Sequence, residues 1–388
     1  MDNIIKIIKK QLDSVVIAFL VVAVLYGLFI GIVLVKNDFD ATHFIAIGDK
    51  FTFEEQLPQA IKINDNSWGY DGQFFYRLAL DPFTQSRVDF GITLDIPTLR
   101  QQRILYPSLV HFLSFGRIEF IPYIMIFINY ISLCIMALVS VKVTKIFNKH
   151  AWWGLLLPLY PGFFLSLARN LSEILAITLL VSAYHAYKKK KYAVLLLLII
   201  LATFTRETTL IFSFGLLAYH GFKFLKAASI NKLKKIIFYS IPIILLIIWQ
   251  FVLYLIWQQH PLQASQGFNI DIPFKGLITN FLSGNLLNYL SLLEVGFLVS
   301  VIIFSFYFLK KSPTEKFVKI SWVISFVLFS LFSANLWLDN WTYMRVFSDL
   351  YFFSFIILLS SNSYIRKYIL SYALVLYMMY LYRFAIKI

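Results

Sequence analysis

The sequence predicts an all-α, polytopic membrane protein with about eleven transmembrane helices. Two properties of the whole chain predict this fold class: 60% of its 388 residues are hydrophobic, and only 14% are charged. A soluble domain carries about a quarter charged residues, and a water-soluble fold of this length could not bury so much apolar surface. We therefore expect residues 1–388 to form one transmembrane domain.

The apolar runs along the chain define the individual spans. Val15 to Val35 carry no charge, are long enough to cross a bilayer, and are not followed by a small-residue cleavage site, so we expect an uncleaved first span. Residues 105–115 are apolar but too few to span, and we expect them to form a helix in or dipping into the outer leaflet. The other predicted spans are residues 120–142, 151–168, 171–187, 192–206, 208–226, 236–258, 286–309, 318–336, 348–360 and 366–384.

The lysines predict which side of the membrane each loop faces. Lys6, Lys9 and Lys10 precede the first span, and the positive-inside rule then places the N-terminus in the cytoplasm. With the spans alternating from there, nearly every later lysine cluster also falls inside, as expected for a multi-pass protein of a bacterial inner membrane. The outer side then holds residues 36–119, a long first extracytoplasmic loop with short interfacial helices, and residues 259–285, a second outer loop.

Composition and spacing exclude several classes of function. The net charge of +15 comes from lysine clusters between apolar runs, where the membrane explains them, and no nucleic-acid motif accompanies them. The single cysteine, Cys134, excludes a disulfide framework and a cysteine metal site within one chain. The six histidines show no HxH or HExxH spacing, so a histidine-based metal site is not expected.

Asp71 stands in the most informative segment, WGYDGQFFYRLALDP, which covers residues 68–82 of the first outer loop. Gly72 would let the backbone or a substrate approach the carboxylate closely. The aromatic residues that follow suit a membrane interface, and they could wall a pocket in which a partly dry carboxylate accepts a proton from a hydroxyl group. Alternatively, Asp71 caps a helix that begins at Gly72, which the spacing alone slightly favours.

The same segment resembles the Trp-Asp-x-x-Trp-Tyr-x-x-Ile-Ala element of type C glycosyltransferases, particularly the phosphatidylinositol-glycan mannosyltransferase-like proteins and bacterial relatives with a YDGQFYY element. Further similar elements follow in the same order: RILYP at residues 103–107, PGFFLS with Ser-Glu at residues 161–173, and Thr205-Arg206. Together they cover roughly residues 68–210. The chain departs from the pattern at Tyr70, Phe74 and Glu207, and between Pro161 and Glu173 its spacing is one residue longer.

The resemblance implies a GT-C-like fold and an inverting glycosyltransferase that acts on the extracytoplasmic side. It implies a polyprenyl-phosphate-linked sugar as donor, a lipid or glycan hydroxyl as acceptor, and contact with membrane lipids. Asp71 becomes the candidate base and Asp40, just after the first span, the second candidate. One of them could instead orient the acceptor or bind a divalent cation (Mg²⁺ or Mn²⁺), so the metal question stays open and no cofactor is certain. The expected substrate pocket consists of Tyr70, Gly72, Gln73, Tyr76, Tyr106, Glu173, Glu207 and Asp339.

Arginines at the outer ends of the spans are candidates for binding the donor phosphate, because a planar guanidinium can bond two phosphate oxygens at once. In order of rank they are Arg345, Arg206, Arg103 and Arg169. Each also has a structural interpretation. Arg169 and Glu173 are four residues apart and could pair along one helix face, which we favour. Arg206 could pair with the neighbours of Glu207 or with Asp339, and Arg345 could be an interface anchor beside Trp341 and Tyr343.

Two other functions stay open at this stage. A transporter or flippase of a lipid-linked sugar would need polar residues near the bilayer midplane and broken helices in both halves, whereas only Glu294 lies deep in a predicted span. A carboxyl group at that depth could be functional, but we favour a protonated Glu294 that is hydrogen-bonded within the helix bundle. A surface-polysaccharide polymerase or ligase would share most of the expected chemistry, but it would not be expected to carry the Asp-Gly-Gln aromatic element.

Overall fold

The computed structural model describes residues 13–261 and 269–384, and 73% of it is helical. The all-α prediction is confirmed. The N-terminal lysines used to predict orientation, and residues 262–268 of the second outer loop, lie outside the described residues. In chain order the helices are α1 (Val15–Lys36), α2 (Asp71–Leu80), α3 (Pro97–Gln101), α4 (Leu105–Leu113), α5 (Ile121–Ile146), α6 (Pro161–Ala168), α7 (Glu173–Lys188), α8 (Tyr192–Thr205), α9 (Leu210–Lys226), α10 (Ile230–Trp257), α11 (Lys275–Leu282), α12 (Tyr289–Lys311), α13 (Lys316–Ser330), α14 (Ala334–Trp337), α15 (Asn340–Val346), α16 (Ser348–Leu358) and α17 (Ser363–Tyr382).

Four helical segments of the described chain are long and apolar enough to cross a membrane: Val15–Lys36, Ile118–Ile146, Ile230–Trp257 and Tyr289–Lys311. They support a membrane protein. Two shorter apolar helices, α8 and α16, fall in the range of 10–17 residues. The count of about eleven spans and the side that each loop faces stay predictions.

Polar side chains define where several long helices begin. The hydroxyl of Ser14 accepts a hydrogen bond from the Val16 amide at 3.1 Å and caps α1. Asn288 caps α12 through the Ser291 amide at 2.9 Å, and Asn362 caps α17 through the Ile365 amide at 3.0 Å. Each side chain satisfies an amide that has no partner inside its own helix, which is why these residue types stand just before the apolar runs.

The predicted span at residues 151–168 is not one continuous helix. Ala151–Leu156 forms 3-10 turns, and α6 begins only at Pro161. Pro158 and Pro161 lack the amide hydrogen that a continuous helix would use at these positions. All eight residues of α6 are buried. The predicted span at residues 318–336 also ends early, because α13 stops at Ser330 and the chain continues in short helices.

The first outer loop contains short elements, as the sequence predicts. Helix α4 covers most of the apolar segment that was too short to span. Two pairs of two-residue strands accompany the helices: Ile47–Gly48 runs parallel to Ile63–Asn64, and Val88–Asp89 runs antiparallel to Ile92–Thr93. Between these pairs, α2 is buried from Gly72 to Ala79. Helix α2 is therefore packed in a fixed position within the loop. The 3-10 turns of the loop are Ala41–Phe44, Asp49–Phe51, Glu54–Gln56 and Ile118–Phe120.

Close backbone contacts dock α2 and α15 against the chain around α6. A Cβ built on Gly72 would lie 2.3 Å from the carbonyl oxygen of Arg169 and 2.6 Å from that of Ile45. On the other side, a Cβ on Gly162 would lie 2.4 Å from the carbonyl oxygen of Met344. Only glycine allows such approaches. They place the end of α15 at the start of α6 and the first turn of α2 at its end.

Candidate active site

Asp71 is the first residue of α2, and its carboxylate bridges two guanidinium groups. Oδ1 accepts a hydrogen bond from Arg100 Nη1 at 2.7 Å, and Oδ2 lies 2.6 Å from Arg345 Nη1. The Asp71 side chain is 16% exposed. Burial by itself would raise the pKa of Asp71, but Arg100 and then Arg345 hold this pKa well below its ordinary value. The carboxylate is therefore ionised and held between two segments that lie far apart in the sequence.

Glu173, the first residue of α7, extends this arrangement through a shared guanidinium. Its Oε1 lies 2.7 Å from Arg206 Nη1 and accepts a hydrogen bond from Arg345 Nη1 at 3.2 Å. Arg345 Nη1 thus contacts both Asp71 and Glu173. The Glu173 side chain is only 1% exposed, so these ion pairs are shielded from solvent. We call this chain of alternating charges, Asp71, Arg345, Glu173 and Arg206, the Asp71 network.

Further ion pairs flank the Asp71 network. Both carboxylate oxygens of Glu207 accept hydrogen bonds from Arg103, at 2.9 and 2.6 Å. Burial raises the pKa of Glu207, but Arg103 outweighs this and lowers the pKa to about 2. On the other side, Asp349 Oδ2 lies 3.9 Å from Arg206 Nε and accepts a hydrogen bond from the Thr208 hydroxyl at 2.6 Å. The site therefore contains charged groups from both the early and the late parts of the chain.

Aromatic rings cover the guanidinium groups of the site. The Arg100 guanidinium lies 4.4 Å from the ring centre of Phe74, and that of Arg345 lies 5.0 Å from the ring centre of Tyr70. Such stacking leaves the edges of each guanidinium available for oxygen ligands. The Tyr70 hydroxyl is also 3.2 Å from the Thr342 hydroxyl in α15. Tyr70 thus contacts the same short helix that carries Arg345.

Glu294 anchors α15 from the interior of the protein. Its Oε1 accepts hydrogen bonds from Asn340 Nδ2 at 2.9 Å and from the Tyr380 hydroxyl at 2.6 Å, and its Oε2 accepts one from the Tyr343 hydroxyl. Asn340 and Tyr343 belong to α15. The prediction that Glu294 is hydrogen-bonded within the bundle is confirmed. Its carboxylate helps to hold the helix that presents Arg345.

Asp40 lies outside the Asp71 network. Its carboxylate caps the turn at Ala41–Phe44 by accepting hydrogen bonds from the Thr42 amide and hydroxyl, both at 2.8 Å. The side chain is 41% exposed and lies 3.8 Å from His43 Nε2. Of the two predicted catalytic aspartates, only Asp71 contacts an arginine that the sequence assigned to phosphate binding, namely Arg345.

Three residues of the predicted substrate pocket are buried parts of the scaffold. Gln73 accepts a hydrogen bond from the Gly48 amide and donates one to the Trp68 carbonyl. Tyr76 accepts a hydrogen bond from Gln59, and Tyr106 donates one to the Met125 carbonyl. All three are 0% exposed and hold the loop in place. Their place in a substrate pocket stays a prediction. Gly72 likewise serves the close approach of backbone, and Asp339 caps α15 through the Thr342 amide.

Two predicted ion pairs are not found. Arg169 does not pair with Glu173, because α7 begins at Glu173 and the two residues do not share a helix. The Arg169 guanidinium instead lies 4.3 Å from the ring centre of Trp341. Arg206 pairs with Glu173 and Asp349, not with Asp339. Arg345 is not an exposed interface anchor, since its side chain is 11% exposed and bonded to two carboxylates.

Arg100 and Asp349 are site residues that the sequence did not predict. Arg100 forms two hydrogen bonds to the Asp95 carboxylate, at 2.8 and 2.7 Å, besides its bond to Asp71. The spacing of Asp95 and Arg100 is no recognised pairing signal, and Asp349 stands at the start of an apolar run. Only the folded chain brings them to the site.

Within residues 13–261 and 269–384, no group of three or more histidine, cysteine, aspartate or glutamate side chains is placed to hold a metal ion. Both oxygens of Asp71 already contact guanidinium groups. The carboxylate is thus neutralised by arginine. No family model, no curated protein and no solved structure matches this chain.

Proposed function

We propose that this chain is a membrane glycosyltransferase of the type C fold, with about eleven spans. It moves a sugar from a polyprenyl-phosphate donor to a hydroxyl group of a lipid or glycan acceptor on the extracytoplasmic side. The observation that carries the proposal is the position of Asp71: a buried carboxylate in the first turn of a helix, bonded to guanidinium groups from two distant segments. This arrangement offers a proton acceptor and phosphate-binding cations within one site.

The proposed reaction is a single displacement at the anomeric carbon. Asp71 removes the proton from the acceptor hydroxyl while the acceptor oxygen forms a bond to the anomeric carbon. The bond between this carbon and the phosphate oxygen breaks, and polyprenyl phosphate leaves with the electron pair. Attack opposite the leaving group inverts the configuration, through a transition state with oxocarbenium character. Arginines stabilise the charge that develops on the phosphate.

Arg345 connects the proton acceptor of the proposed reaction with the binding of the donor phosphate. With both guanidinium groups in contact, the pKa of Asp71 is too low for an effective base near neutral pH. A donor phosphate would compete for Arg345 and draw its guanidinium away from the carboxylate. Loss of one cation raises the pKa of Asp71, so donor binding itself would prepare the base. The carboxylate then acts only when a leaving group is present.

Unsatisfied polar atoms around the Asp71 network support a polar ligand at this site. Native proteins bond nearly all of their buried polar atoms. Here, three buried side-chain atoms in or beside the Asp71 network have no hydrogen-bond partner among the described residues. They are Glu173 Oε2, Arg345 Nε and Asp349 Oδ1.

Substitution of Asp71 by asparagine tests the proposed function. The donor is first identified by mass spectrometry of lipid that copurifies with the full-length protein, and transfer is then measured in reconstituted vesicles. Because asparagine keeps the shape but cannot accept the proton, we expect Asp71→Asn to lose about 10²- to 10⁴-fold in transfer rate.

The matched control is Asp89→Asn, since Asp89 is an outer-loop carboxylate that pairs with an arginine, Arg77, outside the Asp71 network. This control should transfer sugar at the normal rate. Full activity of the Asp71 variant would remove Asp71 from the mechanism. Vesicles that move the lipid-linked sugar across the bilayer without forming a new glycosidic bond would instead identify a transporter.

A further inference from the structure

Two arginine side chains meet at one indole ring beside the Asp71 network. The guanidinium carbon of Arg169 lies 4.3 Å from the ring centre of Trp341, and that of Arg383 lies 5.6 Å from it. Trp341 belongs to α15, Arg169 follows α6, and Arg383 follows α17. Three separate parts of the chain therefore bring two positive charges to the same ring.

In the described parts of the chain, neither guanidinium has a carboxylate within 4.0 Å. The four other arginines of the site each have one or two. Burial, together with the nearby charge of Arg383, lowers the pKa of Arg169 to about 10, so Arg169 stays protonated at neutral pH. Two neighbouring cations repel each other, and an anion bound beside Arg169 would reduce this repulsion.

A small cavity opens next to Arg169. Its volume is about 80 Å³. Lys62 and His43 contribute further nitrogen groups, and the Asp40 carboxylate lies 3.8 Å from His43. The polar lining comes from the outer loop, from Asn37 just after α1 and from Arg169 just after α6. The apolar lining includes side chains of α1 and Phe384, which follows α17. The lining residues that matter here are Phe29, Val33, Asn37, Lys62, Asn64, Arg169 and Phe384.

A cavity with a cationic side and an apolar side fits a phosphate group that carries a hydrocarbon chain. Guanidinium and ammonium groups bind phosphate oxygens, and apolar side chains accept the first carbons of the chain. The position supports this, because the cavity lies at the last turn of α1, a helix long and apolar enough to cross the membrane.

We propose that Arg169 and Lys62, which line this cavity, form an anion site for the phosphate of a membrane lipid. Arg383 lines a neighbouring cavity and adds its positive charge through the shared Trp341 ring. This site adjoins the Asp71 network without being part of it: the ring of Tyr70, which lies under Arg345, has its centre 6.3 Å from that of Trp341. The inference concerns binding alone and does not require sugar transfer. The phosphate could come from a polyprenyl phosphate or from a bulk phospholipid, and the experiment separates these sources.

Binding of dodecyl phosphate to the purified full-length protein in a neutral detergent tests the site. We expect Arg169→Gln combined with Arg383→Gln to weaken binding by about tenfold or more, since a lining hydrogen-bond donor and a neighbouring positive charge are both lost. The matched control is Arg117→Gln, because Arg117 also stacks on an aromatic ring, Phe120 at 5.5 Å, but stands alone on the surface. The control should bind as the unchanged protein does.

Lys62→Gln provides a second variant, whose exposed side chain is not needed for folding. It should weaken binding about threefold or more. Unchanged affinity in both the double variant and Lys62→Gln would overturn the proposal. Equal loss in Arg117→Gln would also overturn it, since the effect would then reflect net charge.

Competition experiments identify the source of the phosphate. Inorganic phosphate that competes as well as dodecyl phosphate would overturn the lipid part of the proposal. Stronger competition by farnesyl phosphate than by phosphatidylglycerol would support a polyprenyl phosphate, and the reverse order would support a bulk phospholipid. Because no acceptor is present, the outcome stays separate from the test of Asp71: either result can fail while the other stands.

Discussion

At the scale of single residues, one nitrogen atom connects two carboxylates. Arg345 Nη1 contacts Asp71 and Glu173, so neither carboxylate can change its charge or position without affecting the other. Lysine would not replace this arginine, because a flexible point charge lacks the planar fork that also stacks on Tyr70. The same guanidinium is the group that a phosphate would compete for in the proposed reaction.

The Arg103–Glu207 pair makes the stability of the protein depend on pH in a defined window. The folded-state pKa of Glu207 is about 2, below its ordinary value of 4.5. A lowered carboxyl pKa contributes stability above the ordinary value, and this contribution is lost as the pH falls from about 4.5 towards 2. We expect Glu207→Gln to lower the unfolding temperature at pH 7. As the pH falls from about 4.5 towards 2, the unfolding temperature of this variant should fall less than that of the unchanged protein.

Thermal unfolding in detergent at several pH values measures this effect. Glu119→Gln is the matched control, because Glu119 is an outer-loop glutamate that forms no ion pair among the described residues. Its profile should follow that of the unchanged protein. A Glu207→Gln profile that runs parallel to the unchanged one through the whole acid range would contradict the role of this pair.

At the scale of elements, short helices and turns position the site residues together with the long helices. Helix α2 presents Asp71 in its first turn, where the amide groups and the helix dipole favour a negative charge. Helix α15 presents Arg345 and is held by Glu294 from the interior. Both helices pack against the chain around α6. Proline residues separate α6 from the 3-10 turns that precede it. The break in the predicted span thus creates the platform for the site.

Gly72 is the element-scale contact that a substitution tests most directly. In Gly72→Ala the new methyl group would lie 2.3 Å from the Arg169 carbonyl oxygen and 2.6 Å from that of Ile45, both of them backbone atoms. One of the docked segments must move, and we expect a loss of about 1–3 kcal/mol in the free energy of unfolding. The shift would also separate Asp71 from its arginines, so transfer should fall with stability.

Gly31→Ala is the control for this substitution, because a Cβ at Gly31 in α1 has no neighbour within 4 Å. Alanine favours a helix over glycine, so this variant should be as stable as the unchanged protein or more stable. Thermal unfolding of both variants decides the matter. Equal stability of the two variants would show that the close approach at Gly72 is relaxed in solution.

At the scale of the whole molecule, the predicted orientation places the Asp71 network on the extracytoplasmic side. The chain has a single cysteine, Cys134, which is buried, so Cys134→Ser gives a background for labelling. Gln85 lies exposed in the first outer loop, and Ser229 lies exposed between α9 and α10. We expect Gln85→Cys to react with an impermeant maleimide in intact cells and Ser229→Cys to react only after permeabilisation. The reverse pattern would invert the topology and place the site in the cytoplasm.

Much of the fold could be predicted from the sequence, because hydropathy and capping are local properties. The long apolar helices, the short helices of the first outer loop and the bonded state of Glu294 were all expected. The broken span at residues 151–168 was not, since the apolar pattern continues through Pro158 and Pro161. Helix α16 is short and buried along its whole length. The sequence does not show whether such a helix crosses the membrane, because a helix surrounded by protein is apolar in either case.

The candidate site, like the fold, could be predicted from the sequence only in part. Sequence alone determined that a membrane would be the solvent of this chain, and it drew attention to Asp71, Glu173, Arg206 and Arg345. Only the tertiary structure decided which of the charges pair. Arg345 and Glu173, for example, are 172 residues apart, whereas Arg169 and Glu173 are neighbours that do not pair. Ion pairing depends on distances of a few ångströms between packed segments. These distances cannot be predicted from the pattern of residues along the chain.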